Sequence, residues 1–128
     1  MDKTICNVPV SIGELFDKYS ILLIKQEKIQ DNAKLDMVVK EINYLKPFIL
    51  EYNLENSLFD ELKQVNLTLW DIEDELRKKE QKKEFNNEFI ELARSVYFTN
   101  DKRSEIKNKI NLILNSSLND IKSYVKYN

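Results

Sequence analysis

Apolar residues recur along this chain three and four positions apart, the spacing of helices that bury one stripe. The clearest run is Leu58, Leu62, Val65, Leu69, Ile72 and Leu76, spaced 4-3-4-3-4. It is a coiled-coil-like seam. A helix is expected there from Ser57, a candidate N-cap with Asp60 three residues on, to about Lys83. A second long register joins Phe89, Leu92, Val96, Thr99, Arg103, Ile106, Ile110 and Ile113. Two of its members are polar, and Asn100-Asp101 lies between them. Either the helix is continuous and buries them, or it breaks at that pair with Asp101 capping a second helix. The register survives the pair, which favours one helix starting near Asn86 or Asn87 and ending at Ser116-Ser117.

The first half of the chain reads the same way. Ser11 followed by Glu14 is a capping box, with Val10 and Leu15 at the positions of a hydrophobic staple. Helix one is expected over about 12–31, with Leu15, Tyr19, Leu22 and Ile29 as its stripe. Asp31-Asn32 is a break. Leu35, Val38, Ile42, Leu45, Ile49 and Tyr52 mark helix two, which Pro47 should kink or restart. The stretch LNDIKSYV, 118–125, suggests a short terminal helix. The expected fold is all-α: a single domain over 1–128, an antiparallel bundle of about four long helices plus a short C-terminal helix. One glycine and two prolines leave too few turn residues for an all-β chain. Long seams suit self-association, so a dimer is expected.

Composition narrows the chemistry. The chain has no histidine, which removes histidine bases, histidine-dependent triads and histidine metal ligands. With one cysteine, Cys6, no internal disulfide is possible, which fits a reducing compartment. No signal peptide and no membrane span is visible, so the expected location is cytoplasmic. Net charge is −2, with neither half strongly basic, so no nucleic-acid partner is expected. The basic run RKKEQKK at 77–83 falls at a helix end, where it complements the dipole.

Arginine is used three times against seventeen lysines. An arginine in so lysine-biased a chain suggests a place where a planar five-donor fork is required. The polar positions that flank the seams are the candidate binding residues. Helix three offers Asn66, Trp70, Glu73 and Arg77, with Glu80 beyond them. Helix four offers Arg94, Tyr97, Asn100, Asp101 and Arg103. Helix one offers Glu14, Asp17 and Lys18. Gly13 beside them reads as close helix packing or as room for a ligand. The arginines are expected to pair with Glu73, Glu80 or Asp101 across a helix pair. Such a network either fixes the register of the bundle or lines a cleft for an anionic ligand, a nucleotide or sugar phosphate. Glu88-x-x-Glu91 and Asp71-x-x-Asp74 each place two acids on one helix face, as in all-α metal-dependent phosphohydrolases. No partner E-x-x-D element follows, so no metal and no cofactor is assigned.

The segments VPVSIGELFDKYSILLIKQEKI (8–29), VNLTLWDIEDELRKKE (65–80), FIELARSVYFTNDKRSEIKNKIN (89–111) and SLNDIKSY (117–124) resemble a family of small bacterial proteins of unknown function. The resemblance implies a helical protein with no established activity. It marks Glu14, Asp17, Lys18, Trp70, Glu73, Asp74, Arg77, Arg94, Tyr97, Asn100 and Asp101. It also implies a protein partner linked to cell-surface polysaccharide synthesis. The chain departs from the pattern at Phe98, where an arginine is usual. The reading that follows is a non-enzymatic dimeric interaction or accessory module. The alternative is an anionic-ligand site between helices, with or without metal-dependent phosphohydrolase activity.

Overall fold

In the computed structural model, which describes residues 4–123, 125 and 126, the chain folds into four helices. They are α1 (Ile12–Lys28), α2 (Asn32–Ile49), α3 (Asn56–Lys82) and α4 (Asn87–Ile113). Short links alternate their directions. α1 packs against all three others and α3 against α4, while α2 packs along α1 alone. No strand occurs among the described residues.

The local signals explain most boundaries. Ser11 Oγ accepts from the Glu14 N–H at 3.1 Å and starts α1. Asp31 Oδ1 accepts from the N–H groups of Ala33 and Lys34 and starts α2. Asn86 Oδ1 does the same for Phe89 and starts α4. Lys83 closes α3 in the left-handed region, at φ 56°. α2 runs through Pro47 and ends two residues later, so the proline sits in its last turn and restarts nothing. α4 is continuous through Asn100 and Asp101.

Two expected features fail. α3 begins one residue earlier than Ser57, with Glu55 at the cap position and no side-chain cap. The 118–125 stretch is not helical at its described positions. There Asp120 is held through its own backbone and side chain by α4, which leaves an extended return segment in place of a fifth helix.

Two apolar clusters form the core. Phe16, Leu58, Leu62, Ile106 and Ile110 make the larger one, and Leu22, Val38 and Ile42 the smaller. Phe16 meets Tyr52 and Phe59 edge-on, at 6.3 and 6.2 Å between ring centres. The buried residues of α3 end at Leu69, and those of α4 begin at Ser104. α3 and α4 each have 27 residues, against 17 and 18 for α1 and α2. The far half of the α3–α4 hairpin therefore extends as an arm with only partly buried contacts.

The stripe expected on α1 is out of phase with what α1 buries. Of its four residues only Leu22 is fully buried, whereas Gly13, Phe16, Asp17, Ser20 and Ile24 are buried as well. A helix enclosed by three neighbours covers more than one stripe, and here one of those stripes is polar. Gly13 is where α4 comes closest. A Cβ there would stand 2.3 Å from the Lys107 carbonyl oxygen and 2.9 Å from Asn111 Oδ1. The glycine is thus required by helix packing, not by a ligand. Replacing Gly13 with Ala is expected to push α1 off α4 and cost about 1–3 kcal/mol, the usual range for overpacking. A urea-denaturation midpoint unchanged from wild type would count against this contact.

Candidate functional site

The polar stripe of α1 meets α3 and α4 at one buried carboxylate. Asp17 is 1% exposed. Arg103 of α4 grips it with a fork: Nε donates to Oδ1 at 2.9 Å, and Nη2 donates to Oδ2. Asn66 of α3 donates through Nδ2 to the same Oδ1 at 2.9 Å and to Ser20 Oγ at 2.8 Å. The Ser20 hydroxyl in turn donates to the Asp17 backbone carbonyl at 2.7 Å. Three helices are locked by four side chains. The hydrogen bonds to Asp17 raise the Arg103 pKa against the opposing effect of burial.

About two turns further along α4, the same pattern ties down the start of α1. The Gly13 N–H donates to Asn111 Oδ1 at 2.6 Å, and the Ile12 N–H donates to Ser116 Oγ at 3.1 Å. With Ser11 serving Glu14, three first-turn donors of α1 each have a side-chain acceptor. The Glu14 carboxylate is turned away from the expected capping box. It accepts from Lys107 Nζ at 2.6 Å instead. Lys107 is itself buried and lies 3.6 Å from Asp120 Oδ2.

Asp120 anchors the segment that returns antiparallel along α4. Ser104 Oγ donates to its carboxylate at 2.9 Å. Asn108 clamps its backbone from both sides, donating to the carbonyl at 3.0 Å and accepting from the N–H at 3.1 Å. Burial alone would raise the Asp120 pKa. The Ser104 hydrogen bond and the charges of Lys107 and Lys122 outweigh it and lower the pKa.

Between α4 and the return segment lies an open cleft of about 690 Å³. Tyr97, Asn100 and Asp101 line its outer part, Arg103, Ser104 and Lys107 its floor. Asp120, Lys122 and Val125 close it from the segment. The cations on its walls are balanced. Asp17 answers Arg103, Glu14 and Asp120 answer Lys107, and Asp120 is 3.5 Å from Lys122. Among the described residues no group of three or more carboxylates or cysteines could hold a metal ion.

The structure gathers only part of the residue set expected from the sequence. Tyr97, Asn100, Asp101 and Arg103 line the cleft, Asn66 supports it from beneath, and Glu14 stands behind Lys107. Lys18 is outside, paired with Glu41 at 2.9 Å. Trp70 is half-buried on α3, while Glu73 and Arg77 are exposed, and none of the three borders the cleft. The expected pairing of arginines with Glu73, Glu80 or Asp101 across the helix pair is not what forms. Arg103 turns to Asp17, and Arg94 is an exposed partner of Glu91 at 3.2 Å, 5.7 Å from the centre of the Phe98 ring. Ser104, Lys107, Asn111, Asp120 and Lys122 were not anticipated as site residues. A signal existed: Asn100, Ser104, Lys107 and Asn111 are spaced 4-3-4 beside the apolar register of α4.

Fold and site define an all-α bundle with a polar seam through its centre and a cleft at one edge. The chain belongs to a family of unknown function (DUF6165), whose family model matches residues 6–127. No curated protein and no solved structure matches it.

Removing the Asp17 carboxylate while leaving Arg103 in place strands a partly buried cation and a buried amide. Asp17→Ala is expected to cost about 3–5 kcal/mol, the range for breaking a buried pair. Arg94→Lys, at a solvent-exposed pair, should leave the unfolding midpoint where it was. Equal effects of the two would rule out the assigned hierarchy.

Asp120 predicts an acid response of known sign. Its pKa is lowered by folding, so its stabilisation is present above the ordinary carboxylate value and is lost as pH falls through the folded one. The return segment should therefore loosen below roughly pH 4. Asp120→Asn should flatten that part of the stability–pH curve. The check is urea unfolding of both proteins across the acid range, and parallel curves would remove Asp120 from the account.

Proposed function

We propose that this protein is a non-enzymatic helical module that acts by binding, as a dimer, in the cytoplasm. The observation that carries this reading is the closure of its charge network. Asp17 is neutralised by Arg103, and Lys107 by Glu14 and Asp120, all within one chain. Groups arranged for acid–base or nucleophilic work are held poised for a substrate. These are held for each other, and their effect is to fix three helices and the return segment in register. The absence of histidine from the sequence agrees with that reading.

The dimer has support in α2. Its inner face packs on α1. On its other side Met37, Tyr44 and Phe48, spaced seven and four, are 72, 44 and 53% exposed. These three positions share a helical face. Residues of this size on one face are common at contacts between chains.

A second reading, an anionic small molecule in the cleft, is favoured by one specific feature. Arg103 uses Nε and Nη2 on Asp17, and it lines the cleft together with Lys122. A phosphate there would draw on those two groups.

A thermal-shift screen separates the two. Inorganic phosphate, nucleotides and sugar phosphates are tested on wild type and on Lys122→Gln, beside light scattering of Met37→Lys and Tyr44→Lys. The module reading expects no phosphate-dependent shift, and a dimer that the α2 substitutions turn into a monomer. A ligand at 100 times its dissociation constant adds about 2.7 kcal/mol. A shift of that size, lost in Lys122→Gln, would replace the first reading with the second.

A further inference from the structure

One face of this acidic chain carries a local excess of lysine. Lys102, Glu105, Lys109 and Leu112 are spaced 3-4-3 on α4 and are all exposed. The return segment lies one position round the helix from this stripe, since Ser104 and Asn108, the neighbours of Glu105 and Lys109, hold Asp120. The segment adds Ile121 and Lys122, then Val125 and Lys126, all exposed. Leu112, Ile121 and Val125 are 82, 85 and 86% exposed, the three highest values among the large apolar side chains. Lys102, Lys109, Lys122 and Lys126 against Glu105 and Asp120, which lies 3.5 Å from Lys122, give this face a formal charge of +2, where the rest of the chain carries −4.

We propose that this face seats the protein on an anionic lipid surface. Two physical features of the face select that partner. The first is charge: lysines within a Debye length of an anionic bilayer are each attracted by roughly 1 kcal/mol, about fivefold in partition. The second is the apolar side chains set between them. Leu112 and Ile121 gain nothing from a nucleic-acid backbone but gain by entering the headgroup–acyl boundary, while lysine stems keep their ammonium groups at the headgroups. A second copy of this chain is a poorer occupant. A two-fold contact places each face on itself, and here that sets +2 against +2. No helix is long and apolar enough to cross a membrane, so the contact is peripheral. The contact is separate from the α2 face. It shares Lys122 and Val125 with the wall of the cleft, but the residues substituted to test it, Lys109, Lys126, Leu112 and Ile121, do not line the cleft, so it stands or falls apart from the proposed module.

The test is co-sedimentation of the full chain with vesicles of phosphatidylcholine alone and of phosphatidylcholine mixed with phosphatidylglycerol. Expected is binding to the mixed vesicles only, reversed by raised salt. Lys109→Gln with Lys126→Gln should lower the partition by about 25-fold, two lysines at fivefold each. Leu112→Ser with Ile121→Ser should lower it as well. All four residues are exposed and lie outside both core clusters, and circular dichroism checks that the variants fold. Should a variant fail that check, the two vesicle types and the salt dependence still decide. Equal binding to both vesicle types, or binding to neither, overturns the proposal. So does full retention of vesicle binding by the apolar pair, accompanied by binding to heparin, since the face would then be reading negative charge alone.

Discussion

The fold depends on a carboxylate buried away from solvent, 1% exposed. Removing Asp17 from solvent costs several kcal/mol before anything is gained. That cost is offset only if both oxygens are met by donors with good geometry, and those donors come from two other helices. Arg103 brings α4, Asn66 brings α3, and Ser20 closes the set within α1. A slip of one residue between α1 and α4 would leave a buried charge without its partner. The apolar seams around it are more forgiving, because leucine against isoleucine works in several registers. The polar knot therefore selects one arrangement, and the apolar clusters supply the driving force for adopting it.

The start of α1 repeats the logic with backbone groups. A buried helix N-terminus has donors that nothing inside the helix can satisfy. Asn111 and Ser116 meet two of them, and Asn111 comes near enough only because residue 13 has no side chain. The approach that brings Asn111 to Gly13 also brings Lys107 to Glu14. Lys107 then needs a second acid on its far side, and Asp120 provides it by drawing the C-terminal segment back along α4. The cleft is a consequence of that chain of requirements. Its floor is the network, and its outer wall is the segment the network recruits.

Much of this was legible in the sequence, and the limits have physical causes. Helix number, the breaks at Asp31 and Asn86, the Ser11 cap and the continuity of α4 all follow from local signals, because caps and apolar spacing act within a few residues. The phase of α1 did not follow. An amphipathic pattern shows which stripe is most apolar, but a helix packed on three sides also buries the stripe that carries its polar contacts. The terminal helix over 118–125 failed for a related reason. Its apolar spacing is helical, yet Asp120 is fixed by contacts about 12 to 16 residues away in sequence, and those contacts outweigh a weak local preference in so short a segment. The cleft was half legible. The α4 half lay in the arginine-rich stretch, while the half supplied by the return segment depends on a chain reversal that no local pattern encodes.

The scarcity of arginine can now be judged residue by residue. Arg103 faces a carboxylate that is 1% exposed and whose two oxygens must both be met from one direction. A lysine ammonium is a point charge that reaches one oxygen well, and it brings more bound water to remove. The fork geometry is therefore required, and here the inference from a lysine-biased composition meets its physical reason. Arg94 has a weaker case. Its ion pair with Glu91 is one a lysine could make, but its planar group also lies 5.7 Å from the centre of the Phe98 ring and hydrogen-bonds Tyr97, which raises its pKa ahead of Glu91. Nothing in the structure explains why position 77 is arginine. The three arginines thus differ in kind: one is demanded by burial, one is favoured by a ring, and one stands on an exposed helix face. Only the first touches the interaction on which the register of the bundle depends.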